Sequence, residues 1–246
     1  MAGHPRTVII AQARMGSTRL PGKVMMDICG KPMVDRVIER AQRSQLADAL
    51  VVAIPDMPED DVLAEYLAGL GATVVRGSAD DVLARYVRAA EATTAESIVR
   101  ITCDCPLIDP EIIDLVIAAF HESGVDYCSN TLERTYPIGM DTEVFSREAL
   151  DRAHAEATLP HEREHVTPYL YQHPELFKLH NVEAPEGLRH PELRLTVDEQ
   201  ADLEMVNGVC ARVPSPVRLQ DVVRAVLAYP ELRRLNEDVR HRYIDR

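Results

Sequence analysis

The sequence predicts an α/β fold, a mainly parallel sheet flanked by helices, on three observations. Short β-rich runs alternate with amphipathic helical patterns through the first half, a rhythm that implies right-handed crossovers. A hydrophobic fraction of 46% over 246 residues suffices for one large core. No stretch of low hydrophobicity marks a boundary with an independent second domain.

Residues 7–13, 50–54, 72–76 and 97–102 read as strands. Between them, one helix starts with Pro32 at its first position and carries Val34, Val37, Ile38 and Ala41 on one face. A second covers about 59–70 and stops at Gly71, and a third runs over 81–92. A helix after Pro110, a strand around 126–130 and an extended run over 139–145 continue the pattern. Residues 154–191, rich in Pro, His and Tyr, interrupt it, so about 131–191 is expected to form a lobe. The sheet is expected to resume over 193–197, followed by a helix from Glu199 and a helical tail over about 215–246.

The formal net charge is −13, with 40 acidic against 27 basic residues, which argues against a broad nucleic-acid or anionic-membrane surface. Five cysteines at 29, 103, 105, 128 and 210, without a C-x-x-C pair, suit a reduced compartment, so a cytoplasmic protein is expected. The start, Met1-Ala2-Gly3-His4-Pro5-Arg6, lacks a signal h-region, and no apolar run approaches the roughly 20 residues of a membrane span.

Chemistry concentrates first in Arg14-Met-Gly-Ser-Thr-Arg-Leu-Pro-Gly-Lys23, directly after the apolar run that ends in Ala11. Glycine lets a backbone approach an anion, while Arg14, Arg19 and Lys23 repel one another unless an anion lies between them. It is not a P-loop: five residues separate Gly16 from Gly22, and Val24 follows Lys23. G-x-G-x-x-G is also absent. A solvated basic loop is the plain alternative; position after the first strand, where open α/β sheets bind ligands, favours a polyphosphate site.

Asp104 ends the strand 97–102 beside Cys105-Pro106, which puts its carboxylate at the same sheet edge, suited to Mg²⁺ or to capping a turn. Asp198 directly follows the expected strand 193–197 and can share that metal or act as a helix N-cap. Gly77 and Ser78 join a strand to a helix at this edge, either to meet a ribose or base or as an ordinary connection, with Asp80 or Asp81 capping the helix in either case. His161-Glu-Arg-Glu-His165 matches H-E-x-x-H, but Pro160 and Pro168 confine it to about two turns and no third ligand is placed, so zinc hydrolysis is the weaker reading. Arg163 and His165 read instead as cations for an anionic acceptor. Tyr136-Pro-Ile-Gly139-Met-Asp141-Thr-Glu143 is either a cleft-lining strand or a surface hairpin.

Taken in order, Arg14 to Lys23, Arg76-Gly-Ser-x-Asp-Asp-Val-Leu-x-Arg-Tyr86, Thr102-Cys-Asp-Cys-Pro106, Arg163-Glu-His-Val-Thr-Pro168 and Leu195-Thr-Val-Asp198 resemble the spore coat polysaccharide biosynthesis protein F family. Its members are relatives of the CMP-KDO and CMP-sialate synthetases. The resemblance implies a glycosyltransferase-A-like, Rossmann-like nucleotidyltransferase that transfers CMP from CTP to an acidic sugar or similar small anionic acceptor, with Mg²⁺ and release of pyrophosphate, as a homodimer. It implies catalytic Arg14, Arg19 and Lys23. It implies nucleotide contacts from Ala11, Gln12, Ala13, Arg14, Met15, Gly16, Ser17, Lys23, Arg76, Gly77, Ser78, Asp80, Thr102 and Asp104. Acceptor contacts fall to Tyr136, Gly139, Asp141, Glu143, Arg163 and His165, and the metal to Asp104 and Asp198. Cys103 departs from the pattern, standing where the family has Gly. The rival reading is a glycosyltransferase of the same fold using a nucleotide sugar, which has less use for a triphosphate loop; no D-x-D motif is present.

Overall fold

The computed structural model describes residues 5–240, so Met1 to His4 and the last residues of the tail, 241–246, lie outside the described residues. In chain order the elements are β1 (Thr7–Gln12), α1 (Met33–Ala41), β2 (Ala49–Pro55), α2 (Asp61–Gly69), β3 (Thr73–Gly77), α3 (Val82–Thr93), β4 (Ser97–Thr102), α4 (Pro110–Ser123), β5 (Tyr127–Ser129) and β6 (Glu143–Ser146). There follow α5 (Arg147–Glu156), α6 (Pro160–His165), α7 (Pro168–Tyr171), β7 (Leu179–Asn181), α8 (Gln200–Cys210), α9 (Leu219–Ala228) and α10 (Pro230–Asn236).

Seven strands form one sheet in the order β3-β2-β1-β4-β6-β5-β7. All pairs are parallel except those of β6, which runs antiparallel to both β4 and β5. The period-2 alternation of the strands divides their apolar side chains between two faces. Ile9, Ala11, Val52, Ile54, Val99 and Ile101 pack with α1, α2, α4, α8 and α9. Val8, Ile10, Val51, Ala53 and Ile98 pack with α3 and α5 on the other face. Both faces are therefore covered, as parallel strands require. This is the expected α/β class.

Local signals set the helix starts that matter for the site. Asp81 caps α3 by accepting the Ala84 N–H at 2.9 Å, and Asp109 caps α4 by accepting from Glu111 at 3.0 Å. Pro32 is the cap residue of α1 and not its first helical position.

Two expectations need correction. Residues 193–197 are extended but are not a strand of the sheet; their one bridge joins Arg194 to Ile138. The alternation of Leu193, Leu195 and Val197 is real and all three are buried, but their backbone bonds two separate loops. Leu195 N–H donates to Ile138 O at 2.7 Å, and Val197 N–H to Asp104 O at 2.8 Å. The remaining edge is filled from inside the stretch 154–191, where Leu179 to Asn181 pair with β5 as β7. The run 139–145 becomes strand only from Glu143.

Candidate functional site

The parallel strands β1 and β4 end side by side, and the segments leaving them bound a cleft of about 630 Å³, ample for a nucleotide-sized ligand. The basic loop leaves β1. Its amides are partly spent on its own shape: Ser17 and Gly22 N–H both donate to Met15 O, at 2.8 and 3.0 Å, and Met15 N–H donates to Asp60 Oδ1 at 2.7 Å. Gly22 closes the loop at φ 69°, a conformation glycine adopts without strain, and a short 3₁₀ turn starts at Lys23. Among the described residues, the N–H groups of Gly16, Thr18 and Arg19 have no acceptor in the protein. Three free amides beside Arg14, Arg19 and Lys23 make a cradle for anionic oxygens.

Asp104 and Asp198 come together here, brought by the bond from Val197 N–H and by Thr196 Oγ1, which donates to Asp104 O at 3.0 Å. Lys23 Nζ lies between them, donating to Asp104 Oδ2 at 3.0 Å, Asp198 Oδ1 at 2.8 Å and Val197 O at 2.8 Å. Burial alone would lower the Lys23 pKa, but the two carboxylates outweigh it and hold the ammonium above its ordinary value. Burial would likewise raise Asp104, yet Lys23 and the Thr102 hydroxyl, donating at 2.5 Å, keep its carboxylate far below the usual range. Asp198 is also lowered, against burial, chiefly by Lys23, and it further meets Arg19 at 2.9 Å and Arg194 at 2.7 Å.

Behind Asp198 stands a buried relay. Asp202, fully buried, accepts from Arg194 Nε at 2.9 Å, Asn236 Nδ2 at 2.9 Å and Asp198 N–H at 2.9 Å. The helix α8 is thus capped at Glu199, whose N–H also reaches Asp202, while Asp198 stays free of capping duty.

The opposite wall comes from α3, β4 and α6. Arg85 and Arg100 line it with Val82, His161, Glu164 and His165. Arg100 is ion-paired to buried Glu143, which also accepts from Tyr127 Oη at 2.6 Å and Thr167 Oγ1 at 2.7 Å. Burial, helped by the nearby Arg100 cation, pushes the His165 pKa down against the pull of Glu164, so at neutral pH it is a neutral imidazole.

Of the sequence-predicted site residues, Gln12, Ala13, Arg14, Ser17, Arg19, Lys23, Thr102, Asp104, His165 and Asp198 form the cleft wall. Gln12 is steadied by Tyr86 Oη, 3.2 Å from its Oε1. Ala11, Met15 and Gly16 sit just behind or beside it. The cleft wall does not include Arg76, Gly77, Ser78 or Asp80. Arg76 turns to Asp61 at 2.6 Å and to Asp56 at 3.3 Å, and Ser78 Oγ accepts from Asp81 N–H.

The residues expected to contact an acceptor are held by partners within the protein. Arg163 is ion-paired to Asp81 and donates to His154 O at 2.8 Å, and burial lowers the pKa of His165. Asp141 is held by both terminal nitrogens of Arg134 at 2.7 Å. Tyr136 is 1% exposed, and Gly139 lies against the backbone of Leu195 and Thr196. Cys103 is buried, part of the core cluster as well as the cleft floor. Sequence reasoning passed over Arg85, although a cation on the otherwise apolar stripe of Val82, Leu83, Tyr86 and Ala89 is a visible anomaly.

Comparison with known proteins agrees with this geometry. The model of the cytidylyltransferase family matches residues 8–240. Spore coat polysaccharide biosynthesis protein SpsF of Bacillus subtilis is 38% identical, over 82% of this chain and 85% of its own. The 3-deoxy-manno-octulosonate cytidylyltransferase of Anaeromyxobacter dehalogenans is 33% identical, over 66% and 72%. A solved cytidylyltransferase from Leptospira borgpetersenii superposes with a TM-score of 0.89 at 32% identity, covering 98% of this chain and 100% of that one. The loop between β1 and α1, the paired carboxylates and the sheet order are features this chain has in the setting of a nucleotidyltransferase fold, and the chain belongs to the cytidylyltransferase family.

Proposed function

We propose that the cleft binds CTP with a divalent cation, Mg²⁺, and transfers CMP to an acidic sugar or similar small anionic acceptor. The observation that carries this reading is the convergence of Lys23 with Asp104 and Asp198 at the mouth of a loop with three unspent amides. The names of the relatives support cytidylyl transfer and a role in polysaccharide biosynthesis.

The donor set fits the metal. Two carboxylates already share one cation, Lys23, and oxygen donors are what a hard divalent ion takes, with waters and phosphate oxygens completing the octahedron. Asp104 and Asp198 would hold it, and when bound it would neutralise and orient the phosphates. The chain's own residues do the rest. The Gly16, Thr18 and Arg19 amides bind phosphate oxygens, and Arg19 and Lys23 stabilise charge that builds on the phosphorane and on leaving pyrophosphate. An acceptor oxygen forms the new bond to the α-phosphorus as the bond from that phosphorus to the bridging oxygen of pyrophosphate breaks. Asp202, through Arg194, keeps Asp198 in place while these charges move.

The same proposal treats the chain as one nucleotidyltransferase domain whose residues 131–191 serve acceptor binding and homodimer contacts, working in the cytoplasm without nucleic acid or membrane. Calorimetry with CTP, UTP, ATP, GTP and a UDP-sugar, with and without Mg²⁺, on wild type and Asp104→Ala, tests it. Selective Mg²⁺-dependent CTP binding that weakens in the variant is expected; preference for the UDP-sugar would turn the assignment to a glycosyltransferase.

A further inference from the structure

Among the described residues, buried guanidinium groups have partners, with one exception. Arg40 donates to the carbonyls of Ile108, Leu107 and Val217, Arg100 is paired with Glu143, and Arg194 with Asp198 and Asp202. Arg85 is 3% exposed, and its Nε and Nη1 are both buried without a hydrogen-bond partner. Its side chain makes no ion pair among the described residues; Asp60 and Asp81 act on it only from beyond ion-pair distance.

An arginine does not escape this position by losing its proton, and a buried charge without a partner is strongly destabilising. The fold nevertheless makes room for it. Gly77, the last residue of β3, lies so close that a Cβ there would meet Arg85 Cγ at 2.7 Å. Arg85 lines the same cleft as the basic loop, and Arg14 is near enough to push its pKa down further after burial itself. Two cations drawn together over one cavity, one of them unpaired in the protein, call for an anion from outside. A nucleobase or ribose offers hydrogen-bond acceptors but no charge.

We propose that Arg85 is a phosphate-contacting residue: its guanidinium receives a phosphate oxygen of the bound nucleotide from the wall facing the basic loop. This rests on the nucleotidyltransferase reading of the cleft.

The test is calorimetry with cytidine, CMP and CTP, with Mg²⁺, on wild type, Arg85→Met and Arg85→Lys, with thermal unfolding of the unliganded proteins alongside. Arg85→Met keeps the stem and removes the charge. It is expected to unfold at or above the wild-type temperature while binding CTP about tenfold to a hundredfold more weakly, the size of a lost charge-assisted bond. Cytidine, which has no phosphate, is expected to bind both alike, and Arg85→Lys to recover part of the CTP affinity. CMP weakened as much as CTP would put the contact on the α-phosphate; CTP weakened alone would put it on the outer phosphates. Unchanged CTP binding in Arg85→Met, or an equal loss for cytidine and CTP, would overturn the inference. Wild type that binds no CTP would instead refute the reading of the cleft. Should Arg85→Met not fold, Arg85→Lys decides, because a merely structural cation would leave its CTP affinity at the wild-type value.

Discussion

Lys23 and Asp198, 175 positions apart in the chain, meet at 2.8 Å in a largely buried ion pair that also includes Asp104. The pair joins the loop after β1 to the segment before α8, and it puts an ammonium where two carboxylates face each other. Replacing Lys23 with Met is expected to lower turnover by roughly 10³, the scale of a lost phosphate-stabilising cation. The same variant is expected to bind Mn²⁺ more tightly than wild type without nucleotide, since the carboxylates no longer have a resident cation. Electron paramagnetic resonance titration of Mn²⁺ checks this; weaker Mn²⁺ binding in the variant would show that the two carboxylates do not form a metal site.

Asp202 carries Arg194 at full burial, the side chains being 0% and 5% exposed. Asp202→Ala removes one of the two carboxylates paired with the buried Arg194 guanidinium, leaving Asp198, and is expected to cost about 3 kcal/mol of stability. Urea unfolding measures it. Asn236→Ala removes one bond to Asp202 while leaving the Arg194 pair intact, and is expected to cost about 1 kcal/mol.

Gly139 has φ 106°, and a Cβ there would lie 2.8 Å from the backbone of Leu195 and Thr196. Gly139→Ala is expected to cost about 1–3 kcal/mol from backbone strain alone. Because relief of the clash displaces the segment leading to Asp198, the Mg²⁺ concentration giving half-maximal activity is expected to rise. A variant with lower stability but unchanged Mg²⁺ dependence would separate Gly139 from the site.

Asp81 caps α3 and pairs with Arg163; burial raises its pKa, but the Arg163 and Ala84 hydrogen bonds outweigh this and hold it below the ordinary 3.8. A carboxylate depressed on folding adds stability above its unfolded value and loses it as pH falls through the folded one. Wild type is therefore expected to lose stability faster than Asp81→Asn as pH drops below about 4. Thermal unfolding over that range checks it. Asp81→Ala, which also loses the cap, is expected to cost about 0.5–2 kcal/mol more generally, at neutral pH as well.

Strands β1 to β4, the helices between them and the basic loop were legible from the sequence because their signals are local: alternation in the strands, 3.6-residue stripes in α1 and α3, and three cations crowded into one turn. The residues 14–23, Thr102 and Asp104 could be placed at one sheet edge because parallel strands share a direction. Asp198 was found from the right neighbourhood for a wrong reason, since the segment before it is a tie between two loops and not a strand. Arg163 and Asp141 were expected as acceptor contacts because composition shows a charge but not its partner; in the fold they pair with Asp81 and Arg134.

What the sequence by itself determined is the α/β class, the basic loop after the first strand and the family, all written in contiguous residues. Only the tertiary structure decided which charges are spent and which are available. Lys23 is shared by two carboxylates from distant segments, Arg100 is neutralised by Glu143, and Arg85 alone among these buried cations is left facing the cleft unpaired. Ion pairs form between side chains that the fold brings within a few ångströms, and no spacing along the chain encodes that distance.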